Sequence, residues 1–350
     1  MTSETTLDDL GWDDFFQSQL SDDDADFTPM RVSEVHRDKI RALSTDEAHL
    51  IVFPSHINSG DVAVGDWVLV DADIGRLVRV FERKSCLTRR AAGPDLRKQL
   101  VAANVDTLFI VTSCNADFNE ARLERFISMA FEAGSTPVIV ATKADTAEDA
   151  ADYLARAERL SFGQVALAIN AHDPDDLARL SPWCGPKQTI ALLGSSGVGK
   201  TTITNGLAGT NEATAGIRED DARGRHTTTA RSLHRIKGGG WLLDTPGMRE
   251  FGLYDASEGI NAVFQDVTQY ADQCKFRDCA HESEPGCAVQ AAIEAGDLDP
   301  ERLKRWKKLQ REDMIQTETV AQTRKRSRTT EKMYKSAKQL RAHRRKFGDD

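Results

Sequence analysis

The sequence has no apolar run of about eighteen residues, so it predicts no helix that crosses a bilayer. Its N-terminus lacks a basic stretch followed by an apolar one, so no secretory signal is expected and a cytoplasmic location is. No internal repeat is visible. Cysteine is scarce, with six residues in 350, and three of the six fall within fourteen positions. One local cluster in an otherwise thiol-poor chain points to a metal before it points to disulfides. The first thirty residues contain no Lys or Arg and nine acidic side chains.

That imbalance makes the net charge of -9 misleading. Outside residues 1–30 the chain is neutral, with 46 basic and 46 acidic side chains. Within that remainder, residues 301–350 carry 17 Lys and Arg against 7 Asp and Glu. Such a block attracts phosphate backbones locally, or it is a solvated helical tail. A length of 350 residues, 40% of them hydrophobic, suffices for two or three domains.

Five segments follow. Residues 1–30, acidic and without apolar periodicity, read as a flexible tail, although Trp12, Phe15 and Phe16 offer docking groups. Residues 31–95 hold short strands at 50–53, 66–70 and 75–81, split by turn-forming stretches. They fit a small β-barrel of the oligonucleotide-binding type, with an SH3-like barrel nearly as good. Residues 96–255 alternate strand and helix, which predicts a mostly parallel sheet covered on both faces. Residues 172–187 look like a connector between two halves of that sheet. Residues 256–315 are helical and carry the Cys cluster. Residues 316–350 form a basic extension.

The strongest motif is Gly194-Ser195-Ser196-Gly197-Val198-Gly199-Lys200-Thr201, with Thr202 opening the next helix. A strand enters it, as a phosphate-binding loop requires. The glycines let successive N–H groups face a β-phosphate. Lys200 would reach the β- and γ-phosphates, and Thr201 would ligate Mg²⁺. Asp244-Thr-Pro-Gly247 follows an apolar strand, where its Asp can hold Mg²⁺ through water and Gly247 can sense the γ-phosphate. Between them, Gly224-Arg-His226-Thr227-Thr228-Thr229 offers a Thr for the Mg²⁺ shell, and spacing does not choose among the three.

Thr142-Lys143-Ala144-Asp145 follows a second strand. A carboxylate accepts two hydrogens, matching the N1–H and N2–H₂ edge of guanine. The stem of Lys143 can lie along the base. The usual first residue is Asn, and a hydroxyl is shorter than an amide. Asn170-Ala171 can offer a backbone N–H to the base carbonyl. This guanine signature precedes the phosphate loop by about fifty residues, the reverse of the Ras-type order, so the G domain is read as circularly permuted. Finally, Cys274, Cys279, His281 and Cys287 offer three thiolates and an imidazole, a closed set that suits one structural Zn²⁺.

In this order and combination, the motifs resemble the ribosome small-subunit-dependent GTPase A family, circularly permuted GTPases of bacterial small-subunit maturation. The stretch Gln99–Asp106 is similar too. The resemblance covers residues from about 40 to 310. It implies an oligonucleotide-binding barrel, a circularly permuted α/β P-loop GTPase domain and a helical zinc-binding C-terminal domain. It also implies GTP hydrolysis stimulated by the 30S subunit and contact with 16S rRNA, by a protein expected to be a monomer. Met248 stands where Ras-like enzymes place a water-orienting Gln, which predicts slow intrinsic turnover and leaves His226 as the candidate catalytic group. The permutation puts the Asp244–Gly247 switch next to the zinc module, so the γ-phosphate is expected to bias that module. Two other readings compete: an rRNA-binding scaffold that holds GTP only structurally, and a P-loop ATPase with a chance Thr-Lys-Ala-Asp.

Overall fold

The computed structural model describes residues 5–90, 98–209, 232–244, 253 and 255–317. A short helix α1 (Asp14–Gln17) precedes five strands: β1 (Thr28–Val35), β2 (Lys39–Leu43), β3 (Ala48–Val52), β4 (Trp67–Asp71) and β5 (Arg76–Val80). They close a barrel in the order β1-β2-β3-β5-β4. β1 pairs antiparallel with both β2 and β4, and β3 runs parallel to β5. This five-stranded Greek-key closure is the oligonucleotide-binding arrangement and sets the SH3-like alternative aside. Alternate residues point inward, among them Val32, Ile40, Ile51, Val68 and Leu77.

The described part of the acidic N-terminal segment is not a loose tail. Leu10, Trp12 and Phe16 are buried in the main core. The Trp12 ring meets Trp67 and Phe81 edge-on, at centroid distances of 4.8 and 5.2 Å. The acids find cations far away in the sequence: Asp8 with Lys187 at 2.8 Å, Asp9 with Arg235 at 3.1 Å, Asp13 with Lys84, and Asp24 with Arg79 at 2.8 Å. Three apolar anchors and long-range charge complementarity hold a segment that has no periodicity of its own. Beneath it, the buried Arg31 guanidinium lies between the Trp67 and Trp241 rings and donates to the Leu10 carbonyl and Thr189 Oγ1. Burial pushes Arg31 down to about 10, with Asp106 pulling the other way, so it stays charged at neutral pH.

The barrel closes at Val80, short of the expected boundary at 95. A separate antiparallel hairpin, β6 (Cys86–Arg90) and β7 (Lys98–Ala103), spans that boundary. The α/β layer follows: β8 (Thr107–Ser113), α2 (Glu120–Glu132), β9 (Thr136–Thr142), α3 (Ala150–Glu158), β10 (Val165–Ala168), α4 (Pro174–Ala178), β11 (Thr189–Gly194), α5 (Lys200–Ala208), β12 (Ser232–Arg235) and β13 (Trp241–Asp244). The sheet order is β10-β9-β8-β11-β13-β12. Neighbours run parallel except the β12–β13 pair. The chain first builds outward from β8 to β10. The 172–187 connector, which holds α4, then returns it to β11 beside β8. Strand order therefore reverses between β8 and β11, the place where open α/β sheets form a crevice at their carboxyl ends.

The C-terminal module contains α6 (Ser257–Val263), α7 (Gln265–Ala271), α8 (Ala288–Ala295) and α9 (Pro300–Thr317). It docks on α2. A Cβ on Gly259 would lie 2.0 Å from the Ser128 carbonyl oxygen, so only glycine allows α6 this close. The fully buried Glu124 carboxylate accepts from Arg302 at 2.7 Å and from Arg305 at 2.9 Å. Arg302 also bonds Asp266 and lies over the Phe264 ring. Leu10, Trp67, Leu108, Ile127, Ile260 and Trp306 belong to one contiguous core, so N-terminal segment, barrel, sheet and C-terminal module share an interior.

Candidate nucleotide site and metal centre

β11 ends in Gly194, which is aligned with Val111 of β8. A Cβ on Gly194 would sit 2.2 Å from the Val111 carbonyl oxygen, so glycine is required for the loop to leave the sheet here. Gly197 and Gly199 have φ of 75° and 95°, the left-handed region that curls the backbone round an anion. Lys200 begins α5, and no side chain caps that helix end, so its N–H groups face the loop. Lys200 Nζ donates to the carbonyls of Gly194 and Ser195, which holds its charge over the cradle. Thr201 is exposed and Thr202 half-buried.

The Thr142–Asp145 motif lies at the same sheet edge. β8 pairs Ser113 with Thr142, which brings the end of β9 level with the ends of its neighbours. Thr142 is 1% exposed. Its hydroxyl donates to the Val198 carbonyl at 2.6 Å and also lies 3.1 Å from the Thr112 carbonyl oxygen. The side chain thus ties the base loop to the phosphate loop, and the shorter reach of a hydroxyl is matched by the close approach of Gly199. Lys143 takes a left-handed φ of 60°, which turns the chain so that Asp145 stands exposed at the rim. The Asn170 amide N–H is committed to Asp176 Oδ2 at 2.7 Å, so of Asn170 and Ala171 only Ala171 remains for the base carbonyl.

Asp244 closes β13. Ala191 of β11 pairs with Leu243, so Asp244 stands level with Leu192, just below the phosphate loop. The sheet therefore brings Thr142–Asp145, Gly194–Thr202 and Asp244 to one edge, although about a hundred residues separate the first from the last. Donor chemistry fits the ligands: amides and an ammonium for phosphates, a hydroxyl and a carboxylate for Mg²⁺, an exposed carboxylate for guanine. Gly224–Thr229, including His226, together with Gly247 and Met248, lie outside the described residues.

Cys274, Cys279, His281 and Cys287 converge, with their ligand atoms all within 4.8 Å of one another. Cys274 Sγ and Cys287 Sγ are 3.8 Å apart, and each is 3.5 Å from His281 Nδ1. Zn–S bonds of about 2.3 Å and a Zn–N bond of about 2.0–2.1 Å at tetrahedral angles place S···S at ~3.8 Å and N···S at ~3.5 Å. The Cys274, Cys287 and His281 spacings match those values, and Cys279 completes the set within the 4.8 Å spread. Burial raises the Cys274 thiol, but N–H groups of Val289 and Ala288 at the start of α8, with the neighbouring thiols, bring it below its usual value. Glu284 accepts from the amides of Ala280, Glu282 and Ser283 and so fixes the turn that carries His281. Those amides, Glu282 and Ala280 foremost, hold the Glu284 carboxyl at about 2.

A family model described as RsgA GTPase matches residues 80–254, from the end of the barrel through the Asp244–Gly247 motif. A "Small ribosomal subunit biogenesis GTPase RsgA" of Mesorhizobium japonicum is 53% identical over 320 residues, covering 90% of this chain and 92% of that protein. The chain belongs to the RsgA GTPase family. A "Small ribosomal subunit biogenesis GTPase RsgA 2" of Vibrio vulnificus is 46% identical over 333 residues, 94% of each chain. Two solved structures share the fold. YjeQ from Thermotoga maritima superposes with a TM-score of 0.60 at 22% identity, over 81% of this chain and 97% of its own. YloQ, titled a circularly permuted GTPase, gives 0.60 at 23% identity, over 85% and 99%. RsgA membership makes the chain a GTP hydrolase that uses GTP and Mg²⁺, which removes the ATPase reading.

Proposed function

We propose that this RsgA-family GTPase binds the small ribosomal subunit and couples GTP hydrolysis to its late maturation, with 16S rRNA as the surface it contacts. The observation that carries the reading is the convergence of Thr142–Asp145, Gly194–Thr202 and Asp244 on one sheet edge in a chain whose relatives are named for small-subunit biogenesis. In this reading Asp145 accepts from the guanine edge, and Thr142 holds its loop against Val198. Ser195, Ser196 and Gly197 to Gly199 offer amides to the phosphates. Lys200 leaves the Gly194 and Ser195 carbonyls for the β- and γ-phosphates. Thr201 and Asp244, with one of Thr227, Thr228 and Thr229, would hold Mg²⁺, which neutralises charge on the leaving phosphate. His226 positions the attacking water when the subunit is bound. The cysteines and His281 hold a structural zinc. The protein works as a cytoplasmic monomer. No helix among the described residues is long and apolar enough to cross a membrane.

Phosphate release with and without purified subunits tests this function and separates it from a scaffold that holds GTP unhydrolysed. Subunit-stimulated turnover is expected. Asp145→Asn should shift preference toward xanthine nucleotides. If His226→Ala keeps full stimulation and normal GTP binding, His226 leaves the mechanism.

A further inference from the structure

The connector that returns the chain from β10 to β11 grips the residue just before it. Asp176 of α4 accepts the Asn170 N–H on Oδ2 at 2.7 Å. Its other oxygen pairs with Arg179 Nη1 at 3.1 Å, and the same nitrogen donates to the Ala168 carbonyl at 2.8 Å. The Asp173 N–H donates to the Asn170 carbonyl at 3.0 Å, and the His172 N–H donates to Asn170 Oδ1 at 3.0 Å. Asn170 is thus held through its amide, its carbonyl and its side chain. The Asn170 amide, helped by Arg179 and opposed by partial burial, keeps the Asp176 carboxyl below its usual value, so it stays an ionised acceptor near neutral pH.

Helix α4 is itself fixed to the helix that leaves the phosphate loop. A Cβ on Gly206 of α5 would lie 2.4 Å from Leu177 Cδ1, so Leu177, next to Asp176, sits directly on α5. On the other side, the Ile169 carbonyl accepts from the Ala144 N–H at 3.2 Å, which sets the 169–171 turn beside Thr142–Asp145. A trans peptide is planar, with its C=O and N–H opposed. The Asn170 carbonyl faces Asp173, so the Ala171 N–H points away from the connector. Ala171 is 7% exposed, and among the described residues its N–H has no partner. Buried N–H groups are rarely left unpaired, so this one calls for an acceptor from outside the chain.

We infer that Asp176, carried by the connector of the permuted sheet, is a positioning residue for guanine: it holds Asn170 so that the Ala171 N–H meets O6 of the base. The inference rests on the reading of Thr142–Asp145 as the guanine site and adds the residue that sets its second half. Asp145 then reads the N1–H and N2–H₂ edge, and the connector reads the carbonyl. Through Leu177 the same short helix fixes the base loop relative to α5. Were Asp176 only a staple for the connector, its loss would weaken every purine nucleotide alike. A positioning role instead confines the loss to nucleotides that carry O6.

The test uses the full chain and three nucleotides competing against a fluorescent GDP. They are GTP, inosine triphosphate, which lacks N2–H₂ but keeps O6, and 6-thioguanosine triphosphate, which keeps N1–H and N2–H₂ but has a weakly accepting sulfur in place of O6. The wild type should prefer GTP over the thio analogue by about two- to twelvefold, the worth of one neutral hydrogen bond. In Asp176→Ala that preference should vanish, while the preference for GTP over inosine triphosphate, set by Asp145, keeps its wild-type value. Asp176→Asn retains an acceptor for the Asn170 N–H and should restore it. A melting curve reports folding. Should the alanine variant not fold, Arg179→Ala, which frees the second carboxylate oxygen, reads the same ratio, expected between wild type and none. An unchanged thio preference in the folded variant would overturn the inference, as would equal losses for all three nucleotides. So would a wild type that rejects inosine triphosphate but is indifferent to the sulfur. Failure of the guanine reading looks different, because the wild type would then bind inosine triphosphate as tightly as GTP.

Discussion

Replacing Thr142 with Val isolates the tie between the base loop and the phosphate loop. Valine keeps the branched shape and puts a methyl group where the hydroxyl was, so the hydrogen bond is lost and no cavity opens. The hydroxyl has one hydrogen and lies 2.6 Å from the Val198 carbonyl oxygen and 3.1 Å from that of Thr112, at a site 1% exposed. Without it, the Val198 carbonyl loses its short side-chain donor in a place water does not reach. Such a loss costs ~1–3 kcal/mol. The loops can escape the cost by separating, and separation spoils the guanine and β-phosphate contacts together. The cost should therefore emerge as a ~5- to 150-fold weaker nucleotide affinity. GDP and a non-hydrolysable GTP analogue should weaken alike, since the contact is remote from the γ-phosphate. Thr142→Ser keeps the donor and should bind close to normally. Titration with fluorescent nucleotides reads all three. Wild-type affinity in Thr142→Val would refute the reasoning. So would a lower melting temperature with unchanged affinity, which would make the bond a general prop and not part of the site.

Three further outcomes follow from the packing. Trp12→Ala removes a ring that is 4% exposed and should cost ~3–5 kcal/mol, freeing residues 5–27 to proteolysis under native conditions; an uncut segment would contradict its docking. Glu124→Gln leaves Arg302 and Arg305 without their buried carboxylate, a loss of ~3–5 kcal/mol that should appear as faster hydrogen exchange in α9, and unchanged exchange would contradict it. Glu284 has its folded value at about 2 against an ordinary 4.5, so the stability it adds is complete above 4.5 and is lost as pH falls toward 2. The turn carrying His281 should thus stay capped at pH 5, while Glu284→Gln should release zinc faster to a chelator at neutral pH; equal release rates would show that the cap does not matter.

What was legible in the sequence was local. The phosphate loop is written in consecutive residues, because glycine positions and a following Lys-Thr are demands of the backbone itself. The strands at 107–112, 137–141 and 189–193 stood out because sheet cores buried on both faces are continuous apolar runs. The candidate metal ligands were visible because soft donors are rare in this chain. What was hidden depends on partners distant in sequence. The nine acids of the N-terminal segment suggested a tail, while Arg235, Lys187, Lys84 and Arg79, which pair with four of them, lie 55 to 226 residues away. Trp12, Phe15 and Phe16 were the one signal of docking, and of these Trp12 and Phe16 are buried while Phe15 is exposed. β12 is four residues long, Ser-Leu-His-Arg, and carries no pattern without β13 beside it. The Glu124 cluster joins α2 to α9 across 178 residues. Thr142 looked weak against the usual Asn, and only the position of Val198 explains what a hydroxyl does there.

The permuted order gains a structural meaning from this core. The β13 strand that ends in Asp244 leads to α6, and α6 packs on α2, whose strand β8 borders the phosphate loop. The C-terminal module is thus braced against the nucleotide-binding sheet. A γ-phosphate that moves the Asp244–Gly247 segment would act on this brace.

The most direct test of the account is steady-state phosphate release from GTP by the full chain, alone and with saturating small ribosomal subunits. Turnover should be slow alone, as expected with Met248 in place of a water-orienting Gln, and should rise at least tenfold (~1.4 kcal/mol off the barrier) with subunits. Equal rates with and without subunits, in a protein that binds GTP normally, would contradict it.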